Sequence, residues 1–425
     1  MTRRLMKGVM LALGLGTAAM ALWGCGVAER QVTIRVANWG GAGDDSDLSK
    51  TTKEVYREFE RRNPGVKIQV EGIPGAQEYV NKMLLSFVSK SEPDIMQLDA
   101  SSAAVFIENG VLQDVTELAS NDPEFEWEDY WPEVIKTAER GSARYAVPLD
   151  FTPMGMYVNA AVFREAGVPL PPRNWTTKQF QEISRKLVGK DRYGYAFSNW
   201  MPGWILWLWN RGGEVIDGET SRTSGVFDSP ENAKTAAWIK EMIEVDKSAP
   251  SLSAAAALGV DLFANGQAGM TISGHWNLVG LQAAKKVKME DILIYPLPTD
   301  MDRPQTVLYQ SGLAISRGSK NKEEAWKFVK YMTSAEVQRK IQSTGLAVCA
   351  RKDVAEELAG SPQTKSFLEL IPGGRAPWGS RIVGYDFVEI EGTKMMDGVL
   401  QAGIDPQRAL TDSAKKIDRY FEEAR

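Results

Sequence analysis

Residues Gln31–Ala37 alternate apolar and polar side chains through Val32-Thr33-Ile34-Arg35-Val36, the two-residue period of a strand with one buried face. Asn38–Asp45 is a glycine-rich loop. Ser46 or Asp47 then caps a helix whose inward face includes Val55 and Phe59, and Asn63-Pro64-Gly65 stops it. The pattern continues with a strand at Val66–Val70, a helix at Gln77–Ser89, a strand at Asp94–Leu98 and a short helix at Ser102–Asn109 ended by Gly110. Regular exchange of strand and helix predicts an α/β layer with a mostly parallel sheet. Ligands of such sheets sit beyond the carboxyl ends of the strands, which places Trp39, after the first strand, and Asp99 with Ser101, after the third, on one rim of a cleft.

Further along, Tyr145–Asn159 is strand-rich and broken by prolines, as expected of a crossover into a second lobe. Thr176 or Thr177 caps a helix through Leu187, and Glu231–Asp246 reads as another. Between them Asn199–Trp209 holds four tryptophans. A helix beginning near Pro202 puts Trp204 and Trp207 on one face, with Trp200 in the preceding loop. Trp200 and Trp204 are candidate ligand-stacking rings, whereas Trp207 and Trp209 suit a core equally well.

Composition narrows the chemistry. With 425 residues, 43% hydrophobic and 25% charged, the chain can bury two large cores. A net charge of −5, with no basic stripe outside the extreme N-terminus, argues against nucleic acid as a partner. One histidine, His275, and two cysteines, Cys25 and Cys349, leave too few groups for a zinc site or a His-based nucleophile system, so no metal or cofactor is expected. The acidic stretch Asp44–Tyr56 fails the calcium-loop template at Lys50 and Tyr56. Gly40–Gly43 lacks the Gly-Lys-Ser ending of a phosphate loop and reads better as backbone room beside a ligand. The 13 Trp and 12 Tyr indicate a special use for flat rings.

The N-terminus has the form of a secretory signal: Arg3, Arg4 and Lys7 precede the uncharged, mostly apolar Gly8–Trp23. It ends in Leu22-Trp23-Gly24-Cys25, which resembles the bacterial lipobox. That resemblance implies a signal peptide over residues 1–24, a lipid on Cys25, a short leader over 25–30, and a mature domain held outside the cytoplasmic membrane.

The most specific segment is Asp261–Trp276, whose Phe263-x-x-Gly266-x-Ala268-x-Met270-x-x-x-Gly274-x-Trp276 resembles the signature of extracellular solute-binding proteins of family 1, the sugar receptors of bacterial ABC importers. Phe59–Val70, Pro93–Asp99, Ser311–Met332 and Asp405–Ile417 resemble the same family in the same order. The resemblance implies a type II periplasmic-binding-protein fold, each lobe a mixed sheet flanked by helices. Residues 31–152 and 313–346 would form the N-terminal lobe, and 153–312 and 347–425 the C-terminal one. Hinge crossings would fall near Phe151–Pro153, Gly312–Ala314 and Gly345–Cys349. It implies a monomeric receptor that performs no catalysis, binds a mono- or oligosaccharide and delivers it to a membrane permease. Sugar chemistry fits the composition: pyranose faces want flat rings and their hydroxyls want fixed polar groups.

Matched to the family's pattern, the ligand-facing residues are Trp276 at the end of the signature, Trp39 and Gly40 after the first strand, and Asp99 and Ser101 after the third. Asp150, Phe151 and Tyr157 lie near the first hinge, Tyr309 and Gly312 in the second, and Trp378 with Arg381 in a closing loop. His275 is expected to support Trp276. Glycerol phosphate or another small solute is the alternative within the fold; a secreted carbohydrate-active enzyme, with two catalytic carboxylates, is the alternative outside it. Cys25→Ser is expected to release the protein into the soluble fraction or to block its processing, with Cys349→Ser leaving location unchanged; membrane fractionation checks both.

Overall fold

The computed structural model describes residues 31–39, 47–345 and 347–424. The signal segment, Cys25 and Gly40 lie outside them. Thirteen strands occur among the described residues. In chain order they are β1 Val32–Asn38, β2 Val66–Gly72, β3 Ile95–Asp99, β4 Glu139–Arg140, β5 Ala143–Arg144, β6 Val147–Pro153 and β7 Gly155–Asn159. They continue with β8 Tyr193–Tyr195, β9 Ala268–Ser273, β10 Ile292–Tyr295, β11 Thr306–Ile315, β12 Val348–Cys349 and β13 Gly374–Arg375.

A seven-stranded mixed sheet has the order β12-β6-β11-β3-β1-β2, with β13 added along β11. β1 runs parallel to both β2 and β3, as strand–helix alternation demands. The four-stranded second sheet has the order β10-β7-β9-β8. Met154, 1% exposed, is the single residue between β6 of the large sheet and β7 of the small one. The chain returns to the large sheet through residues 296–305 between β10 and β11. Gly312–Ala314, expected at a crossing, lies inside β11, paired with β3 throughout and with β6 through Leu313.

Local signals explain most helix boundaries. Thr176 accepts from Gln179 N at 3.2 Å while Gln179 Oε1 accepts from Thr176 N at 2.9 Å, the reciprocal bonds that start the helix Thr177–Lys186. Ser229 and Asp405 cap the helices Pro230–Glu244 and Pro406–Glu423, each with proline in the first turn. The first helix spans Asp47–Arg62 and the second Ala76–Val88.

Three hydrophobic clusters form the core among the described residues. One joins the small sheet to the helices Met201–Trp209, Pro230–Glu244, Tyr385–Leu400 and Pro406–Glu423. A second joins the large sheet to one face of the small one and includes Phe59, Phe151, Tyr157, Phe263 and Phe328. A third packs Tyr79, Met83 and Phe106 against β1 and β3. No helix among the described residues is long and apolar enough to cross a membrane.

Candidate ligand-binding site

β11 lies between β3 and β6 and sets the site. Ser311 is opposite Asp99 on one neighbour and opposite Asp150 on the other. Directly opposite residues project from the same face, so Asp99, Ser311 and Asp150 form a row across three strands with the two carboxylates roughly 10 Å apart at the backbone. Two residues earlier, Tyr309 faces the same way opposite Thr152. Gln310 and Phe151, the pair between them, point to the other side. There Phe151 is fully buried 6.3 Å from Trp131, and Gln310 Oε1 accepts from Thr137 at 2.6 Å.

The Tyr309 ring is flanked by two indoles. Trp200 stacks on it with centroids 6.4 Å apart and planes 29° from parallel, and Trp276 lies 6.2 Å away, tilted by 58°. Trp200 directly precedes the helix Met201–Trp209, stays 46% exposed and rests over Gly203, where an added Cβ would stand 3.2 Å from the ring. Trp276 follows a turn pinned twice: Tyr157 donates its hydroxyl proton to Gly274 O at 2.6 Å, and His275 N donates to Thr152 Oγ1 at 2.7 Å. The Trp276 ring folds back onto Gly274 so closely that a Cβ there would be 2.3 Å from it, which gives that glycine its function. His275 is buried and contacts Thr364 through Nε2 at 3.0 Å.

Beside this face lies a narrow cavity of about 10 Å³, room for a group the size of a water or an ammonium. Met201, Ile205 and Trp209 line it from successive turns of one helix; Val307 and Tyr309 come from β11, Pro377 and Trp378 from a loop, and Tyr385 and Glu389 from successive turns of the helix Tyr385–Leu400. One wall is fixed by Glu214, which accepts from Trp209 Nε1 at 2.8 Å and Trp378 Nε1 at 3.1 Å and pairs with Arg375. The Arg375 guanidinium in turn covers Trp209 at 4.1 Å.

Electrostatically the site is acidic. Burial pushes the Asp150 carboxyl up to about 7, aided by the charge of Asp99 and opposed by a hydrogen bond from Ser311. Burial likewise pushes Glu389 up to about 8, with Asp99 and Asp386 adding to it. Asp99 is itself raised by burial even though Ser101 donates to it from N at 2.7 Å and from Oγ. No group of three or more His, Cys, Asp or Glu among the described residues is placed to hold a metal ion.

The structure thus brings together Asp99, Asp150, Tyr309, Trp200 and Trp276, with Ser101 bonded to Asp99 and Trp378 in the adjoining wall. Others of the expected set stand elsewhere. Phe151 and Tyr157 are core side chains, and Trp204, 1% exposed, is buried with its Nε1 donating to Asn199 at 3.1 Å. Gly312 sits beside a β-bulge where a Cβ would meet Val147 O at 2.9 Å, so its smallness serves strand packing. Trp39 packs edge-on against Tyr79 at 5.5 Å, and Arg381 is exposed. The sequence reading missed Tyr385, Glu389 and the Glu214–Arg375 wall. An acidic residue four positions after a tyrosine shares its helix face, and that spacing is the signal that marks the first two.

Residues 42–339 match the family model of bacterial extracellular solute-binding proteins. The chain belongs to this family. Its curated relatives include the multiple sugar-binding protein of Streptococcus mutans, 24% identical over 345 residues covering 77% of each chain. An uncharacterised lipoprotein from the oleD 5′ region of Streptomyces antibioticus is 31% identical over 198 residues, 44% of this chain and 41% of that one. Among solved structures, the fold is shared with the sugar-binding protein MalE of Xanthomonas citri, at TM-score 0.79 and 20% identity, covering 92% of this chain and 98% of the other. It is shared equally with an ABC substrate-binding protein of Listeria monocytogenes in complex with cycloalternan, at TM-score 0.78, 21% identity and the same coverages. UgpB of Mycobacterium tuberculosis in complex with glycerophosphocholine matches at TM-score 0.77 and 20% identity, covering 92% and 99%. The fold class of this solute-binding protein is therefore the two-lobed mixed α/β architecture of these neighbours, and family membership assigns it an extracytoplasmic place.

The carboxyls give the solute-binding protein a definite pH response. Asp150 and Glu389 titrate near 7 and 8 when folded and near 4 when unfolded. Between about pH 4 and 8 the folded protein therefore holds more protons, and these two groups lower stability as pH rises through that window. Melting curves of ligand-free Asp150→Asn are expected to lose part of that decline, the variant gaining on wild type between pH 5 and pH 8; parallel curves would contradict the assignment.

Proposed function

We propose that this protein is the sugar receptor of an ABC importer. It captures a mono- or oligosaccharide in the cleft and delivers it to a membrane permease without chemical change. The observation that carries this reading is the junction of the Trp200–Tyr309–Trp276 rings with the Asp99–Ser311–Asp150 row on one face. Rings of this kind cover the C–H patches of a pyranose, and carboxylates accept its hydroxyl protons. The sugar-binding names and sugar complexes of the relatives support the same assignment. A lipid on Cys25 holds the monomer at the membrane, an arrangement supported by the lipobox-like Leu22–Cys25 and by the lipoprotein relative. The cleft closes by hinge bending at the strands carrying Phe151–Pro153 and Gly312–Ala314 and at the segment 345–349. The lobes are residues 31–152 with 313–346 and residues 153–312 with 347–425.

A thermal-shift screen of the mature domain against sugars, polyols and glycerol phosphates tests the reading. A sugar at about 100 times its dissociation constant stabilises the fold by roughly 2.7 kcal/mol, a rise of several degrees. Stabilisation by a phosphate ester alone would overturn the sugar assignment, and turnover of a glycoside would restore the enzyme.

A further inference from the structure

The cleft's charges are unbalanced. Among the described residues no ion pair reaches Asp99, Asp150 or Glu389, and no cation acts on the titration of any of them. The nearest arginine in the wall, Arg375, is already neutralised by Glu214. Arg381, past the loop, is exposed. Among the described residues the groups acting on the carboxyls are neutral or acidic: Ser311 from β11, Ser101 beside Asp99, and Asp386 from the helix that carries Glu389; beyond Tyr385 stand Glu214 and its ion-pair partner Arg375.

The hydrogen-bond account is also open. Tyr385 is 4% exposed and lines the cavity, yet its hydroxyl has no hydrogen-bond partner among the described residues. Glu389 lines the same cavity with its carboxylate equally unpartnered. The Tyr385 phenol and the half-buried Glu389 carboxylate both open onto one cavity, and together with Asp99 and Asp150 they point to a ligand group that donates several protons at once. A phosphate or carboxylate would meet Asp99, Asp150 and Glu389 with no cation among the described residues paired to them. A neutral hydroxyl donates one proton and leaves the charge uncompensated. An ammonium donates three, carries the missing charge, and is attracted to the electron-rich faces of Tyr309, Trp200 and Trp276.

We propose that the sugar captured here is cationic, an amino sugar or amine-bearing glycoside whose ammonium sits between Glu389, Asp150 and Asp99 while its ring lies against Tyr309 and the flanking indoles. The proposal rests on the sugar-receptor reading and narrows it. Since Asp150 and Glu389 hold protons in the empty cleft at mildly acidic pH, ammonium capture expels them, and binding of a charged sugar is coupled to proton release.

Isothermal titration at pH 6 against glucosamine and its β-1,4-linked dimer and trimer, the N-acetylated counterparts, and the matching neutral glucose oligomers tests this directly. The amino forms are expected to bind at least tenfold more tightly than their neutral and N-acetylated partners, with heats that change with buffer as protons are released. Glu389→Gln and Asp150→Asn should each erase most of that preference, the ratio of amino-sugar to neutral-sugar affinity falling toward one. Equal or tighter binding of the uncharged forms, or a preference unmoved by both substitutions, overturns the cationic assignment and leaves the sugar reading standing. Failure of every sugar, charged or not, in this titration and in the wider thermal-shift screen overturns the sugar reading itself, and the cationic assignment with it.

Discussion

The site depends on the register of one strand. β11 is hydrogen-bonded to β3 on one side and to β6 on the other, and Ser311 is the residue at which both pairings align a carboxylate. A slip of one residue would turn Asp150 and Tyr309 into the core and bring Phe151 and Gln310 into the cleft. The opposite face prevents this: Phe151 packs in the large apolar cluster and Gln310 bonds to Thr137. Burial on one side of the sheet therefore fixes the chemistry on the other. The same strand links the two halves of the site, because its Tyr309 ring is the platform against which Trp200 and Trp276 pack.

Holding acidic groups in a desolvated cleft is unfavourable to the free protein, and the raised Asp150 and Glu389 carboxyls measure that. The strain is tolerated because the surrounding frame is strongly over-determined. Glu214 is held by two indoles and a guanidinium, and the Trp276 turn by Tyr157 and Thr152. Rigid supports and an unsatisfied centre together describe a receptor in which ligand completes the hydrogen bonding.

Much of this was legible in the sequence, for identifiable reasons. Helix caps act locally, so Thr176 and the Asp47 start could be read without tertiary information, while the helix read as Glu231–Asp246 begins one residue earlier behind its Ser229 cap. Asp99 could be placed because strand–helix alternation fixes where a parallel strand ends. The distinction between Asp150 and Phe151 could not be read, because β6 is enclosed on both faces and its burial shows no two-residue alternation to reveal which side each occupies. Tyr157 lies in a strand buried throughout, and Trp204 in a helix where every residue but Gly203 is buried, so neither carries a pattern that separates core from cleft. Tyr385 and Glu389 reach the cavity from a helix far along the chain, and only tertiary packing brings them beside Tyr309.

On the proposed reading, one face of the β6–β11–β3 ribbon meets the ligand and the other holds the core. Trp276→Ala and Phe151→Ala, each measured for melting temperature and for affinity toward the solute that most stabilises wild type, test it most directly. The account predicts that Trp276→Ala loses on the order of 2 kcal/mol of binding, about thirtyfold, with a small change in unliganded stability. Phe151→Ala should instead lose about 3–5 kcal/mol of stability and keep its affinity in the protein that folds. Unchanged affinity in Trp276→Ala together with a large loss of affinity in Phe151→Ala would contradict this and place the ligand elsewhere.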